Sequence, residues 1–224
     1  MSGPKTPSLI DMKSKRIIIT GATSGLGKES AIALAKLGAE IVLAVRDVDK
    51  GEVVKNEILK QTPSAKLEVS KLDLMDLDSV RSFAASQSSR PIDILLNNAG
   101  IMAVPFERSK DGFESQMATN HLGHFLLTQL LFEAIGKGTN PRIINVASSA
   151  HRLGKLKNGD AKELNVDEAS YSPWTVYGNT KLVNLLFTSE LARRLKLINS
   201  NIITAVDHPG YANTNLQFVA ATKK

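Results

Sequence analysis

The sequence predicts an α/β protein built on one doubly wound parallel sheet. Three observations predict it. Short β-rich runs alternate with helix-patterned stretches along the chain, the runs are continuously apolar, and the first opens onto a glycine-rich turn followed directly by a helix. Continuous apolar strands belong to parallel sheets covered on both faces. Right-handed crossovers then wind the sheet in both directions from its middle.

The elements follow in order. Arg16–Thr20 is apolar and β-branched and predicts a buried strand. Residues 28–37 set Ile32, Leu34, Ala35 and Leu37 among good helix formers and predict a helix. Glu40–Val45 is the second strand, 50–61 a helix and Lys66–Lys71 the third strand. A helix over 78–86 has Asp78 as its candidate cap. The fourth strand is 93–97, a long helix lies within 112–136, and Arg142–Val146 is the fifth strand. Residues 177–195 form a helix around Leu182, Val183, Leu185, Leu186 and Leu191, and 201–206 is the sixth strand. No solenoid repeat and no low-complexity segment interrupts this order.

Composition narrows the classes. A chain of 224 residues suits one α/β domain, here 16–224 behind a polar arm at 1–15. The charge of +6 comes without a block of Lys/Arg long enough for a basic arm, and 5% aromatics is thin for base stacking. Solubility explains the excess better than nucleic acid does. With no cysteine, disulfides, thiolate zinc sites and cysteine nucleophiles are excluded, and a reducing compartment fits. Residues 1–15 mix Pro4, Lys5, Pro7, Asp11 and Lys13 and lack the apolar core of a signal peptide. The longest apolar stretch, 125–135, is too short to span a bilayer and contains Gln129 and Glu133. The expectation is a soluble, cytoplasmic chain without a transmembrane segment, with a peripheral membrane or organellar place also open.

Ligands in such sheets lie at the carboxyl ends of the strands. The first strand ends in Thr20-Gly21-Ala22-Thr23-Ser24-Gly25-Leu26-Gly27. Gly21 allows a tight turn, Gly25 lets the backbone approach a pyrophosphate, and Gly27 lets helix pack on strand. The helix N-terminus adds N–H groups and positive potential, so Thr23, Ser24 and Leu26 join the candidate phosphate site. An ordinary strand–helix turn that uses glycine is the alternative, and the G-x3-G-x-G spacing departs from G-x-G-x-x-G. Lys28, in the first turn, is either solvated or useful near a phosphate. After the second strand, Arg46 offers a planar fork to a 2′-phosphate and points to NADP(H) over NAD(H). In the competing reading Arg46 pairs with Asp47, which then claims the ribose.

The Thr20–Gly27 turn, Asn97-Asn98-Ala99-Gly100, Tyr177-Gly-Asn-Thr-Lys181 and Pro209-Gly210 together resemble the short-chain dehydrogenase/reductase family, in that family's order and over nearly the whole chain. Val45-Arg46-Asp47, Leu72-Asp73-Leu74, Asn120-His-Leu-Gly-His-Phe125, Arg142-Ile-Ile-Asn-Val-Ala-Ser148 and Asp207-His-Pro-Gly210 resemble its retinol-dehydrogenase-like branch. The resemblance implies a Rossmann fold that binds NADP(H). It implies Asp73 and Leu74 at the adenine, and Asn97, Ala99 and Gly100 on the adenine-ribose side. It places Pro209 at the cofactor and Thr214 on the nicotinamide carboxamide. It also implies a substrate-covering segment, a further helix and a last strand, which a chain ending at Lys224 would lack.

Tyr177 and Lys181 stand i, i+4, on one helical face. A nearby ammonium favours a phenolate, so Lys181 is expected to lower the Tyr177 pKa. Tyr177 then gives a proton to a carbonyl oxygen or takes one from an alcohol. Ser148 hydrogen-bonds that oxygen; Ser149 is its competitor. By resemblance, Lys181 also holds the nicotinamide ribose, and Asn120 completes the catalytic set by orienting a water that relays protons to Lys181. His121, His124, His151 and His208 lack metal-ligand spacing and are expected to be structural or pocket-lining, with no metal. The stretch 150–176 is longer than in many family members, and long loops are often functional. Tyr171 and Trp174 are expected to flank the substrate mouth.

The expected activity is hydride transfer between NADP(H) and a carbonyl/hydroxyl pair on a lipophilic substrate, retinoid-like, steroid-like or another aldehyde or ketone. A homo-oligomer is compatible with it. The alternatives are a cofactor-binding module without chemistry, and a protochlorophyllide-reductase-like enzyme, which the lack of cysteine disfavours.

Overall fold

The computed structural model describes residues 11–156 and 160–210. Six strands, β1 (Arg16–Thr20), β2 (Glu40–Val45), β3 (Lys66–Lys71), β4 (Ile94–Asn97), β5 (Arg142–Val146) and β6 (Ile203–Asp207), form one sheet in the order β3-β2-β1-β4-β5-β6. Every pairing is parallel, with Ile17 opposite Ile41 on one side and Ile94 on the other. The strand order reverses direction between β1 and β4, which opens a crevice above their carboxyl ends.

Helices cover both faces. Helix α1 (Gly25–Lys36) and α2 (Val48–Gln61) pack Ala31, Ala35, Val54 and Ile58 on Ile17, Ile19, Ile41 and Leu43. On the other face, α3 (Leu77–Gln87), α5 (Gly123–Gly136) and α6 (Pro173–Leu197) set Val80, Phe83, Leu127, Leu131 and Leu195 against Ile18, Val42, Leu95 and Ile143. Ile17, Ile18 and Ile19 are all fully buried, which is why the strand reads as an unbroken apolar run. Between α3 and α5 lie a short α4 (Ser115–Met117) and a π-helical turn at Ala118–Leu122. The long helix expected within 112–136 is present, running without a gap over 115–136 with a π-helical segment inside it. Three 3-10 turns, Ser149–Leu153, Ala161–Leu164 and Glu168–Ser170, lie in the long connection before α6.

Several helices start earlier than their apolar pattern. Helix α1 begins inside the glycine turn, at Gly25, and α6 begins at Pro173, whose fixed φ suits a first helical position. Asp76, not Asp78, caps α3, accepting from the backbone N–H of Asp78 (3.0 Å) and Ser79 (3.3 Å). Asp78 sits in the first turn and pairs with Lys110 at 3.2 Å. The fourth strand starts at Ile94, one residue later than expected, and Asp93 before it clasps the backbone N–H of Arg16 and Thr139 with its carboxylate, both at 2.8 Å. No helix among the described residues is long and apolar enough to cross a membrane.

Candidate active site

The crevice holds a cavity of about 760 Å³ running from the glycine turn to the first turns of α6. At one end the chain leaves β1 with Gly21 at φ +68° and enters α1 with Gly25 at φ +53°. A Cβ on Gly21 would lie 2.8 Å from the Ala99 Cα, and one on Gly27 would lie 2.5 Å from the Gly21 carbonyl oxygen. Both contacts are too close for a side chain, so the two glycines let turn, helix and the end of β4 close on one another. Gly21, Thr23, Ser24, Gly25 and Leu26 line the cavity, whereas Gly27 lies behind them as packing. The first turn of α1 carries no acidic residue, and Ser24 makes no side-chain cap bond. That leaves its N–H end electrostatically suited to an anion.

Arg46 is exposed on the cavity wall beside Lys50. Asp47 does not take up Arg46: its carboxylate accepts from the Lys50 backbone N–H and pairs with Lys50 Nζ, each at 3.1 Å, which holds it below the usual carboxylate range. Lys28 is turned aside into an ion pair with Glu57, so its expected use near a phosphate is not what the structure offers. Asp73, Leu74, Ala99, Gly100 and Pro209 line the cavity. Asn97 does not. It is buried beneath the sheet end, donating to Thr128 Oγ1 (3.1 Å) and Asn145 Oδ1 (2.9 Å), and the wall residue is Asn98. Thr214 lies outside the described residues.

At the other end, Ser148, Tyr177 and Lys181 meet in the same cavity. Helix α6 presents Tyr177 and Lys181 together, with Lys181 Nζ 5.6 Å from the Tyr177 ring centroid. Ser148 lies close enough to Tyr177 to favour its phenolate, and its Oγ accepts the Ala150 N–H at 3.2 Å. Ser148 is half-buried and caps the following 3-10 turn, whereas Ser149 is exposed. Lys181 is buried and donates to the Val146 carbonyl at 3.1 Å. Its burial pushes its pKa down to about 8.

Tyr177 moves the opposite way from expectation. Burial raises its pKa, only partly offset by Ser148. Lys181 spends its interaction on Val146 and on the ring rather than on the phenolic oxygen, so the chain by itself keeps Tyr177 a phenol.

Asn120 is fully buried behind this wall. Its side chain holds both polar groups of Ile101, accepting from the N–H at 2.8 Å and donating to the carbonyl at 2.9 Å, and donates to Thr180 Oγ1 at 3.0 Å. A Cβ on Gly100 would lie 3.2 Å from Asn120 Oδ1 and 3.7 Å from Lys181 Nζ, so the two groups are near neighbours. Trp174 lines the cavity, 54% exposed, edge-on to Tyr177. Tyr171 does not flank the mouth. Its hydroxyl is tied inward to Val104 and Gln116, and burial drives its pKa up to about 12.

His124 links the long helix to the end of β1. His124 Nδ1 lies 3.3 Å from the Asn120 carbonyl, which can only accept, so Nε2 is the acceptor for the Thr20 hydroxyl at 2.8 Å. Thr20 Oγ1 in turn accepts the N–H groups of Asn98 and Ala99, both at 3.0 Å. Burial lowers the His124 pKa to about 3, so the link is neutral. The signal available was its position four residues after Asn120. Thr119 Oγ1, on a residue of the cavity wall, is buried without a hydrogen-bond partner.

The site fits a nicotinamide dinucleotide by its glycine cradle, anion-ready helix end and cation at the rim. Chemically it offers a buried phenol and a serine hydroxyl beside a lysine of lowered pKa.

Comparison with known proteins agrees. The family model described as short chain dehydrogenase matches residues 15–158. Retinol dehydrogenase 11 of Homo sapiens is 43% identical over 211 residues, covering 93% of this chain and 64% of that protein. The chain thus spans under two thirds of that relative. A crystal structure of an uncharacterized protein from Mycobacterium Paratuberculosis is 46% identical with a TM-score of 0.82, covering 95% of this chain and 74% of that one. Two more distant structures share the fold. One, from Burkholderia phymatum, is a complex with NAD (21% identical, TM-score 0.75, 96% and 72% covered). The other, a metagenomic oxidoreductase, is a complex with NADP (24%, 0.69, 89% and 84%).

Proposed function

The chain belongs to the short-chain dehydrogenase family of oxidoreductases, on its retinol-dehydrogenase-like side, and from that premise we propose that it transfers hydride between NADP(H) and the carbonyl/hydroxyl pair of a lipophilic small molecule. The observation that carries the proposal is that Ser148, Tyr177 and Lys181 share one cavity with the glycine turn. In this reading the chain from residue 16 onward serves as both dinucleotide-binding and catalytic domain.

A dihydronicotinamide held in this cavity would supply the hydride. The chain's residues do the rest. Tyr177, held protonated by burial, donates its proton to the carbonyl oxygen in the reducing direction. Ser148, on the same cavity wall as Tyr177, holds the same oxygen as negative charge develops on it. Lys181, with its lowered pKa, can replace that proton near neutral pH, and Asn120 positions this end through Ile101. Arg46, with Lys50 beside it, favours a 2′-phosphate, hence NADP(H). Ile101, Met102, Leu153 and Trp174 give the wall near Tyr177 an apolar character suited to a lipophilic substrate.

The test is turnover of a panel of aldehydes and ketones with NADPH and with NADH, using wild type and Tyr177→Phe. Tyr177→Phe is expected to lose roughly 10²–10⁴ in kcat while still binding cofactor. Full turnover by Tyr177→Phe refutes the mechanism. Equal use of NADH refutes the role of Arg46. A chain that binds NADPH and reduces nothing is a binding module instead.

A further inference from the structure

The segment 101–104 has no regular secondary structure, yet it is held at three successive points. Asn120 takes both polar groups of Ile101. Gln116, fully buried, accepts the Ala103 N–H at 2.8 Å through Oε1. The Tyr171 hydroxyl donates to the Val104 carbonyl at 2.6 Å. The second and third holders are joined, because Gln116 Nε2 donates to Tyr171 Oη at 2.7 Å and also to the Pro173 carbonyl at 3.0 Å. One buried amide thus ties this segment to the first residue of α6, the helix that carries Trp174, Tyr177 and Lys181.

The segment is held in an unfavourable conformation. Ala103 sits at φ +48°, in the left-handed region that L-residues avoid, and its N–H is the group Gln116 takes. Residues in such conformations persist where the surroundings over-determine them, and they cluster at functional sites. The chain's route says which function. It packs on the glycine turn at Ala99, passes Lys181 at Gly100, and continues the cavity wall through Ile101 and Met102. Its far end is linked through Tyr171 and Gln116 to Pro173, the residue before Trp174.

We infer that Gln116 and Tyr171 are positioning residues that fix the Ile101–Met102 wall, and that this wall sets which carbonyl substrates the site accepts. The inference rests on the oxidoreductase reading above and deepens it. Tyr171 thereby acts on specificity from behind the wall. Its ring packs edge-on against Phe106 with centroids 5.3 Å apart, so the hydroxyl can be removed while the ring contact stays.

The experiment uses the full chain with NADPH and a series of aldehydes of increasing bulk, from straight-chain to ring-bearing. Tyr171→Phe is expected to change the ratio of KM values between the bulkiest and smallest aldehyde by about tenfold. NADPH affinity and kcat for the smallest aldehyde should stay within about twofold. Met102→Ala, which leaves the clamp intact, should move the same ratio. A Tyr171→Phe ratio equal to wild type overturns the inference, as does a uniform fall in kcat and NADPH affinity across the series. Amide hydrogen exchange gives a readout apart from activity. The Ala103 N–H should exchange slowly in wild type and at least tenfold faster in Tyr171→Phe; rapid exchange in wild type overturns the clamp. A wild type that reduces no aldehyde refutes the oxidoreductase reading, and this inference with it. A wild type that turns over while the variant's ratio stays fixed refutes this inference alone.

Discussion

Replacing Lys181 with Met should make the cofactor-free protein more stable and far less active. Lys181 is fully buried, and burial lowers its pKa from 10.5 to about 8. Each pKa unit is about 1.4 kcal/mol of bias against the charged form, so at pH 7 the ammonium costs ~3 kcal/mol. Methionine fills similar space without charge and forgoes the hydrogen bond to Val146, worth ~1 kcal/mol. The variant should therefore gain ~2 kcal/mol at pH 7. Between about pH 8 and 10.5 the folded wild type has released a proton that its unfolded chain still binds, so wild-type stability rises with pH there. By pH 10 the variant's advantage should shrink by ~2.5 kcal/mol and vanish. The assay is urea unfolding of both proteins at pH 7 and pH 10, comparing midpoints at constant slope. Other titrating groups cancel in the difference between the two proteins. Turnover should fall at least ~10²-fold. A variant less stable than wild type at pH 7, or a difference independent of pH, would refute the reasoning.

Three further outcomes follow from the same geometry. His124 is neutral when folded, with its pKa lowered from 6.5 to about 3. The stability this confers is complete above pH 6.5 and falls as acid approaches pH 3; His124→Gln should abolish ~3 kcal/mol of wild type's loss between pH 6.5 and 4, and parallel acid titrations of the two would count against it. Gly21→Ala forces a Cβ to within 2.8 Å of the Ala99 Cα at φ +68°, so the denaturation midpoint should drop by the equivalent of ~1–3 kcal/mol; an unchanged midpoint would mean the turn relaxes freely. Ser148→Ala should lower kcat by ~10²–10³ while exposed Ser149→Ala stays within about threefold, and the reverse pattern would transfer the role to Ser149.

Strands β1, β2 and β5 are legible to the residue as mainly apolar or β-branched runs, and β3 as a short alternation of Leu67 and Val69 with polar residues. Helix starts are less so. The caps Ser24, Asp47, Asp76 and Ser172 are polar residues that precede the apolar pattern, and Asp76 and Asp78 compete for one role that only backbone geometry decides. The π turn at Ala118–Leu122 is invisible to propensity. It is accompanied by tertiary bonds: the Asn120 carbonyl receives His124 from its own chain segment and Asn184 from α6 at 3.1 Å. At the site, the Tyr177–Lys181 pair is legible as a spacing, but the burial that raises one pKa and lowers the other belongs to the packed cavity. Asn97 and Asn98 are adjacent in sequence and face opposite ways, the first into the core and the second onto the cavity. Tyr171 finds its acceptor at Val104, in a segment no local pattern connects to it.

The sheet order also has a consequence for synthesis. Strand β1 lies at the centre, and Ile17 must pair with Ile94. When β1 leaves the ribosome it can pair with β2 on one side only. Its other edge, a row of unpaired N–H and C=O groups on a strand whose three isoleucines end wholly buried, waits for β4. At roughly 5–20 residues per second that wait lasts about 4–15 s. An apolar, unpaired central strand is the kind of edge other chains join. For those seconds the nascent protein exposes its most adhesive surface, and its yield in a cell should depend on elongation rate and on chaperones that hold that edge until β4 arrives.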